Sequence, residues 1–160
     1  MNETEMIVLA IRVRGNVRVK PEIEDTLNKL LLGRLHQARL LKISPSLQGM
    51  ITKAKDYIVW GEASGEVIEK LLLKRGRVPG NGRLTDSFVK KNSKYSSIKA
   101  LAKAITSGEA DVKDVEGLKP VFRLTPPTKG YKGQKKFGIG MGGVTGYRGE
   151  DINSLALRMI

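Results

Sequence analysis

Hydrophobic residues near the start of the chain occupy every second position. Positions 7, 9, 11 and 13 are large aliphatic residues, and the intervening set ends in Arg12 and Arg14. A period of two is typical of a β-strand that buries one face. The pattern therefore predicts a half-buried first strand whose two arginines face solvent.

The residues that follow predict helices alternating with strands. Pro21 suits the first turn of a helix, and the apolar stripe behind it, which includes Leu31, ends at Gly33. Ser44 opens a second helix that also has one apolar stripe. Further strands are expected at residues 38–43 and 57–60. Because two such helices most economically cover one face of a sheet, we predict an α+β fold with a ferredoxin-like split β-α-β core (β-α-β-α-β) over residues 1–61, in which both helices lie on one face of a three-stranded antiparallel sheet.

The chain becomes helical and strongly basic over residues 62–119. Ser64 and Thr85 stand at positions that cap the amino termini of two helices, and a third helix follows them. Residues 70–103 contain ten Lys or Arg and a single acid, Asp86. The sequence therefore predicts a basic helical extension after the core.

Residues 120–160 combine a short strand at 121–124, a glycine-rich basic segment and a final amphipathic helix. Between positions 117 and 150 there are seven Lys or Arg, and the first acid is Glu150. A segment with few apolar side chains and many glycines buries too little surface to order itself. We expect a loop, tethered at both ends, that takes a fixed shape against an anionic partner.

The overall charge also indicates a polyanionic partner. The 160 residues include 29 Lys or Arg and 16 Asp or Glu, which gives a formal net charge of +13 and a pI of about 10.1. Release of counterions favours binding to polyanions, so nucleic acid is the first expectation and an anionic membrane the second. With no cysteine and one histidine, the chain has no disulfide, no thiolate metal site and no histidine cluster for zinc.

Residues that could carry catalysis have simpler structural interpretations. His36 follows the predicted end of the first helix, and no orienting partner or nucleophile stands at a recognisable spacing from it. The acidic pairs at 22/24 and 150/151 lie in first turns of predicted helices, where they stabilise the helix dipole. The sequence therefore predicts no enzyme, no cofactor and no metal.

Two basic segments are predicted to contact RNA. In the first, glycine and proline interleave with cations, so that backbone and bidentate arginines come close to phosphates. In the second, cations alternate with aromatic rings that stack on unpaired bases. The candidates are Lys74, Arg75, Arg77 and Arg83 in the first segment, and Lys129, Tyr131, Lys132, Lys135, Lys136, Tyr147 and Arg148 in the second. For the lysines between positions 90 and 103, a solvated helix face stays open as the alternative.

Short segments in every part of the chain carry a family resemblance. In the core they are Arg12-Val13-Arg14-Gly15, Thr26-Leu27, Gly49-Met50-Ile51 and Tyr57-Ile58-Val59-Trp60-Gly61; in the extensions they are Lys74-Arg75-Gly76, Leu84-Thr85-Asp86, Phe122-Arg123-Leu124 with Pro126-Pro127, and Gly146-Tyr147-Arg148-Gly149. A chain with these segments resembles the large-subunit ribosomal protein L-thirty family in its longer archaeal form, whose eukaryotic relative is called L-seven.

The resemblance implies a non-enzymatic structural component of the large ribosomal subunit, in the cytoplasm. Its expected partners are large-subunit ribosomal RNA, in the neighbourhood of the 5S RNA, and neighbouring large-subunit proteins, with no membrane and no small-molecule substrate. Family members use the loop before the first helix and the turn after it on RNA. The corresponding residues here are Arg14, Arg18 and Lys20, and Arg34, His36 and Arg39.

Other classes of protein share some of these features. A free-standing RNA-binding or regulatory module would share the charge but not the segment-by-segment match. A small ferredoxin-like enzyme or ligand-binding domain would need a concave apolar pocket with convergent polar groups, which the sequence does not reveal. The residues ahead of the first strand include two glutamates, and we expect neither a signal peptide nor a membrane span there.

Overall fold

The computed structural model describes residues 7–131, 133–138 and 141–160. In chain order, its elements are β1 (Ile7–Arg12), α1 (Pro21–Lys29), β2 (Gln37–Lys42), α2 (Pro45–Lys53), β3 (Ile58–Glu62), α3 (Gly65–Arg75), β4 (Arg77–Val78), β5 (Gly82–Arg83), α4 (Asp86–Asn92), α5 (Ile98–Thr106), β6 (Val121–Arg123), β7 (Gln134–Gly138), β8 (Gly143–Tyr147) and α6 (Ile152–Met159). The predicted β-α-β-α-β order from β1 to β3 is confirmed. Ser64 and Thr85 cap α3 and α4 as predicted, since their side chains accept hydrogen bonds from the backbone N–H groups of Val67 and Phe88.

Most of the strands belong to one mixed sheet in the order β6-β2-β1-β3-β8-β7. β1 lies in the interior of this sheet, antiparallel to β2 and β3, with Leu9 opposite Leu40 on one side and Gly61 on the other. β6 is antiparallel to β2, whereas β8 runs parallel to β3, and β7 runs parallel to β8. The predicted three-stranded antiparallel sheet is therefore the centre of a wider one.

Both faces of the sheet are covered by helices. Val8 packs in a cluster with Leu27 of α1 and Ile51 of α2, so the prediction that these two helices share one face is confirmed. Leu9, the next residue of β1, belongs to a second cluster with Leu71 of α3 and with residues of α5 and α6. The expectation of a half-buried first strand was wrong because the helical extension and α6 form a second layer on the opposite face.

Arg12 is buried, although the alternation of β1 predicted that it faces solvent. Its exposed fraction is 1%. The guanidinium donates to three carbonyl oxygens, from Nη1 to Leu32 at 2.8 Å, from Nε to Arg14 at 2.8 Å and from Nη2 to Gly15 at 3.3 Å. Burial lowers the pKa of Arg12. These bonds make burial tolerable, because they satisfy donors and carbonyls together and tie the loop after β1 to the turn after α1.

The first helix ends before the last residue of its predicted apolar stripe. α1 ends at Lys29, and Leu31 adopts a φ of +58° with 42% of its surface exposed. Leu32 is fully buried instead, and its N–H donates to the carbonyl of Leu27 at 2.9 Å. This bond closes a left-handed helix end, which turns Leu31 outward and Leu32 into the core.

The glycine-rich segment contains two strands where the sequence predicted a loop. Val144 and Thr145 of β8 are 0% and 2% exposed. Gly61 of β3 permits a close approach at this end of the molecule, because a Cβ there would collide with the carbonyl oxygen of Gly149. The period-two signal of β8 is short and interrupted by glycines, so the segment is ordered mainly by its pairing with β3.

The final helix is confirmed, and it packs on the same face as the extension. Leu155 and Met159 of α6 are fully buried and share the larger cluster with Leu101 of α5. All three segments distinguished in the sequence, 1–61, 62–119 and 120–160, contribute to this cluster. Their division into separate units stays a prediction.

Candidate nucleic-acid interface

Two adjoining concavities bring together cations from distant parts of the chain. The first has a volume of about 540 Å³ and lies between the end of α3, the β4–β5 hairpin and β6. The second has a volume of about 600 Å³ and shares Arg75 and Arg77 with the first. No acidic residue lines either one in the part of the chain that the structure describes. We call this surface the cationic cleft, and its cations are Lys74, Arg75, Arg77, Arg83, Lys119 and Arg123.

The end of α3 and the hairpin that follows position four of these cations. Lys74 and Arg75 lie in the last turn of α3, where positive charge stabilises the carboxyl end of a helix. Gly76 then leaves the helix in an extended conformation, and a Cβ at this position would collide with the carbonyl oxygen of Leu72. The hairpin places Arg77 directly opposite Arg83. The predicted basic loop is therefore a short two-stranded structure.

Hydrogen bonds to backbone carbonyls hold two of the arginines in place. Arg75 Nη2 donates to the backbone oxygen of Ile160 at 3.0 Å. Arg77 Nη1 donates to the carbonyls of Gly76 at 3.0 Å and Lys74 at 3.2 Å. A guanidinium carries five N–H donors, so these bonds leave donors available to a ligand. The cleft is thus partly preorganised before any partner binds.

Lys119 and Arg123 were not among the predicted contact residues. The N–H of Lys119 donates to the carbonyl of Arg77 at 2.9 Å, which brings this segment against the hairpin. Arg123 is exposed in β6, next to Phe122, which is fully buried. The alternation of the predicted strand at 121–124 was a signal that Arg123 faces outward. The pairing of β6 with β2, which places Arg123 at the cleft, is a tertiary contact that no local pattern reveals.

The predicted residues around α1 are outside the cationic cleft. Arg18 and Arg34 are exposed, and Arg18 has a φ of +56°. Lys20 is exposed at the amino-terminal cap of α1. Arg14 lies over the ring of Tyr57, with its Cζ 4.6 Å from the ring centroid, and it donates to the carbonyl of Asp56 at 3.3 Å. None of these four cations lines the cleft, and they lie in the loop between β1 and α1 or in the turn after α1.

His36 and Arg39 are held in the fold by more contacts than the sequence suggested. The N–H of His36 donates to the carbonyl of Arg12 at 2.9 Å, and its carbonyl accepts from the N–H of Leu124 at 3.1 Å. Arg39 lies within β2, and its Nη1 donates to the carbonyl of Leu30 at 3.1 Å. Burial lowers the pKa of Arg39, and the charge of Asp111 opposes this effect. Both residues are half-buried.

The tail residues are divided among different environments. The ring of Tyr131 is stacked on that of His36, with centroids 6.4 Å apart and an interplanar angle of 14°. Burial raises the pKa of Tyr131 to about 12, against the effect of Arg148. Arg148 is half-buried, and burial lowers its pKa, helped by the charge of Arg158. Tyr131 therefore contributes one ring face to the fold itself.

The remaining tail candidates are more exposed or lie outside the description. Lys129 is exposed, with a φ of +66°. Tyr147 is 56% exposed, but its hydroxyl donates to the carboxylate of Glu62, an acidic neighbour that disfavours a phosphate at this position. Lys132 lies outside the described residues. Lys135 and Lys136 lie in β7, and their side chains are outside the description.

Comparison with known proteins identifies the family. The sequence profile described as Ribosomal protein L30p/L7e matches residues 8–58, from β1 to the first residue of β3. Large ribosomal subunit protein uL30 of Methanosphaera stadtmanae is 50% identical, with 94% of this chain and 97% of the relative covered. The proteins of the same name from Methanobrevibacter smithii and Thermofilum pendens are 47% and 42% identical over 95% and 96% of this chain and 99% of each relative. The chain belongs to the uL30 family.

Membership of the uL30 family confirms the resemblance to the archaeal long form. The profile covers most of the β-α-β-α-β core and stops at the first residue of β3, whereas the similarity to the relatives takes in 94% and 95% of the chain and therefore most of the extension and the tail. uL30 proteins are structural ribosomal components and not enzymes. In the described residues, no group of side chains is arranged to hold a metal ion, and no helix is long and apolar enough to span a membrane.

Proposed function

We propose that this chain is a structural constituent of the large ribosomal subunit, in the cytoplasm, that binds and stabilises large-subunit ribosomal RNA near the 5S RNA. The observation that carries this proposal is the cationic cleft, in which cations from α3, the hairpin and β6 line one concave surface with no Asp or Glu among its described lining residues. Membership of the uL30 family supports the ribosomal location. The alternative of a free-standing RNA-binding module accounts for the charge but leaves the family membership unexplained.

The geometry of the cleft suits the phosphate backbone of a folded RNA. Arginine binds phosphate in a bidentate manner, and Arg75 and Arg77 are already fixed by backbone carbonyls. A concave surface with several cations contacts consecutive phosphates. Such contacts depend on the shape of the RNA and fix the position of the protein on it, but they do not read the base sequence. The protein would therefore recognise how the RNA is folded, and its affinity would fall steeply with salt concentration.

The cations around α1 form a second proposed contact. Arg14, Arg18, Lys20 and Arg34 belong to two loops that Arg12 ties together through the carbonyls of Gly15 and Leu32. A buried link of this kind lets two loops approach RNA as one surface. Of the tail residues, Lys129 is exposed and fits a phosphate contact, whereas Tyr147 has a carboxylate beside it. Neighbouring large-subunit proteins are expected partners elsewhere on the surface.

The first test is sedimentation of a native extract after a high-salt wash, with the protein located by mass spectrometry. We expect recovery in equal stoichiometry with the large subunit. Recovery in the soluble top fractions would contradict the proposed function and favour the free-standing module.

The position near the 5S RNA needs a separate test. The chain has no cysteine, so Glu116→Cys introduces a single attachment site, at an exposed position close in sequence to Lys119. An iron chelate attached there and incorporated into subunits should generate hydroxyl radicals that cleave nearby RNA. Cleavage of large-subunit RNA together with 5S RNA is the expected result. Cleavage of large-subunit RNA alone would support the structural role but refute the proposed position near the 5S RNA.

A further inference from the structure

A third concavity lies on another part of the surface and has the opposite chemical character. It has a volume of about 380 Å³ and lies between α2, β3 and the end of β8. Its lining is largely apolar, and among the residues that the structure describes the lining contains one carboxylate and no Lys or Arg. We call it the Trp60 pocket, and the residues used in the argument are Ile43, Ile51, Thr52, Trp60, Glu62 and Tyr147.

Two aromatic rings form one wall of the Trp60 pocket. Trp60 and Tyr147 are paired across β3 and β8, and their ring centroids are 6.3 Å apart with an interplanar angle of 48°. Tyr147 is 56% exposed and Trp60 is partly exposed, so ring surface faces solvent. Indole and phenol faces attract cations electrostatically, and they do so more strongly where water is partly excluded.

Two carboxylates act on Tyr147. The hydroxyl of Tyr147 donates to Glu62, and this hydrogen bond raises the pKa of Tyr147, as do burial and the charges of Glu62 and Glu150. Asn153 Nδ2 donates to the backbone carbonyls of Glu62 at 3.1 Å and Glu150 at 3.0 Å, which holds the two acidic segments together. On a chain with a net charge of +13, this is a locally acidic aromatic pocket.

The charge around the pocket determines which ligand it can accept. A phosphate would be placed beside carboxylates without a cation from the lining, so RNA is disfavoured. A lysine or arginine side chain would lie over the aromatic rings with its charge close to Glu62, while an aliphatic neighbour would bury surface against Ile43 and Ile51. We propose that the Trp60 pocket binds an extended Lys- or Arg-containing peptide segment of a neighbouring protein. The identity of that neighbour as a ribosomal protein rests on the proposed function, but the binding chemistry does not.

The chain offers a direct optical test, because Trp60 is its single tryptophan. The full-length protein is titrated with the blocked peptide acetyl-Leu-Lys-Arg-Leu-amide, and the intrinsic tryptophan fluorescence is recorded. We expect a saturable change that Glu62→Lys weakens by about tenfold or more, because the variant replaces the attractive charge with a repulsive one. Glu116→Lys is the matched control, since it makes the same charge change at an exposed residue outside the pocket, and it should leave the titration unchanged.

Three outcomes would overturn the proposal. They are the absence of a saturable change with the basic peptide, an equal change with acetyl-Leu-Glu-Asp-Leu-amide, and a fluorescence change produced by an RNA oligonucleotide that competes with the peptide. Circular dichroism of Glu62→Lys establishes that the variant is folded, and Glu62→Gln, which retains an acceptor for Tyr147, gives a second measurement if it is not. None of these readouts depends on the ribosome.

A second experiment tests the pocket within the ribosome. It uses a photo-cross-linking amino acid at Thr52, which is exposed and lines the pocket. In purified large subunits that contain the protein, we expect a cross-link to a Lys- or Arg-rich segment of another protein, reduced by Glu62→Lys. The same photo-cross-linker at Lys119 should react with RNA. A cross-link from Thr52 to RNA, or none in subunits that contain the protein, would overturn the proposal. Absence of the protein from the subunits would instead refute the proposed function and leave the peptide titration to decide the pocket.

Discussion

The cationic cleft and the Trp60 pocket are two concave regions with opposite electrostatics. In the described part of the chain, the cleft is lined by arginines and lysines with no Asp or Glu, whereas the pocket combines aromatic rings with Glu62 and has no Lys or Arg in its lining. A net charge of +13 describes neither of them. The contrast teaches that overall charge favours RNA as a partner of the whole protein, while the local arrangement of charges determines which surface faces RNA.

The largest effect on stability should come from placing a charge at a buried core residue on which both regions depend. Val144 of β8 is fully buried in the cluster that also contains residues of α3. Val144→Asp would place an unpaired charge there and should lower the free energy of unfolding by about 3 to 5 kcal/mol. Denaturant titration measures this loss. Val17→Asp is the matched control, because Val17 is 85% exposed and the change there should cost less than about 0.5 kcal/mol.

A tail that orders only on RNA would give a different result. In that case Val144→Asp and Val17→Asp would have similarly small effects on the free energy of unfolding of the protein in the absence of RNA. The experiment therefore also tests the conclusion that β8 belongs to the folded core.

The next effect separates the cleft from other cations. Lys119 and Arg123 make no side-chain hydrogen bond or ion pair within the described part of the chain, so replacing them by Gln should preserve the fold. Each replacement should lower affinity for purified large-subunit ribosomal RNA about tenfold, and the slope of log affinity against log salt by about 1, because one phosphate contact is lost. Filter binding at several salt concentrations measures both quantities.

The control for the cleft removes the same charge from a helical surface. Lys90→Gln with Lys99→Gln changes two exposed lysines that do not line the cleft. This control should alter the salt slope much less than Lys119→Gln with Arg123→Gln. Equal effects would mean that the protein binds RNA through its general charge and that the cleft has no special role.

A pH-dependent effect tests whether Tyr131 is held in the fold. Burial raises its pKa from 10.0 to about 12, so the folded state retains the proton more tightly than the unfolded state. The resulting stabilisation is fully present below pH 10 and is lost as the pH rises towards 12. Because the side chain is only half-buried, we expect a loss of about 1 to 2 kcal/mol. Denaturant titrations at pH 9 and pH 11.5 should show a smaller loss for Tyr131→Phe than for the unmodified protein, and equal losses would contradict the burial of the hydroxyl.

The smallest expected effect concerns RNA and the Trp60 pocket. If this pocket faces protein, then Glu62→Lys should leave the salt slope for ribosomal RNA unchanged, although it adds positive charge. A slope that rises by about 1 would show that a phosphate lies beside the pocket and would remove the distinction between the two regions.

Local sequence patterns predicted much of the fold because they depend on neighbouring residues. The period of β1, the stripes of α1 and α2, and the caps Ser64 and Thr85 are all properties of a few adjacent positions. The same patterns failed where the path of the backbone decides the outcome. Arg12 looked solvent-exposed because its three carbonyl partners lie in a loop and a turn, and Leu31 looked buried because a left-handed turn at the helix end cannot be deduced from hydrophobicity.

The functional surfaces show the same division. The basic loop from Arg77 to Arg83 was evident in the sequence, since glycine, proline and arginine occur together there. Lys119 and Arg123 were missed because they reach the cleft through the pairing of β6 with β2. The Trp60 pocket was not foreseen at all, because its residues come from β1, α2, β3 and β8 and the segment after β2, and its acidic character opposes the composition of the chain.

The sequence by itself determined the class of partner, the β-α-β-α-β core and the family, because net charge, periodicity and short motifs are recognisable without knowing which residues are in contact. Only the tertiary structure decided which cations share a surface, that the tail adds strands to the sheet, and that one pocket is lined by aromatic rings and a carboxylate with no Lys or Arg among its described lining residues. Those features depend on segments far apart in the chain whose approach is fixed by burial and strand pairing, and a local pattern carries no information about such distances.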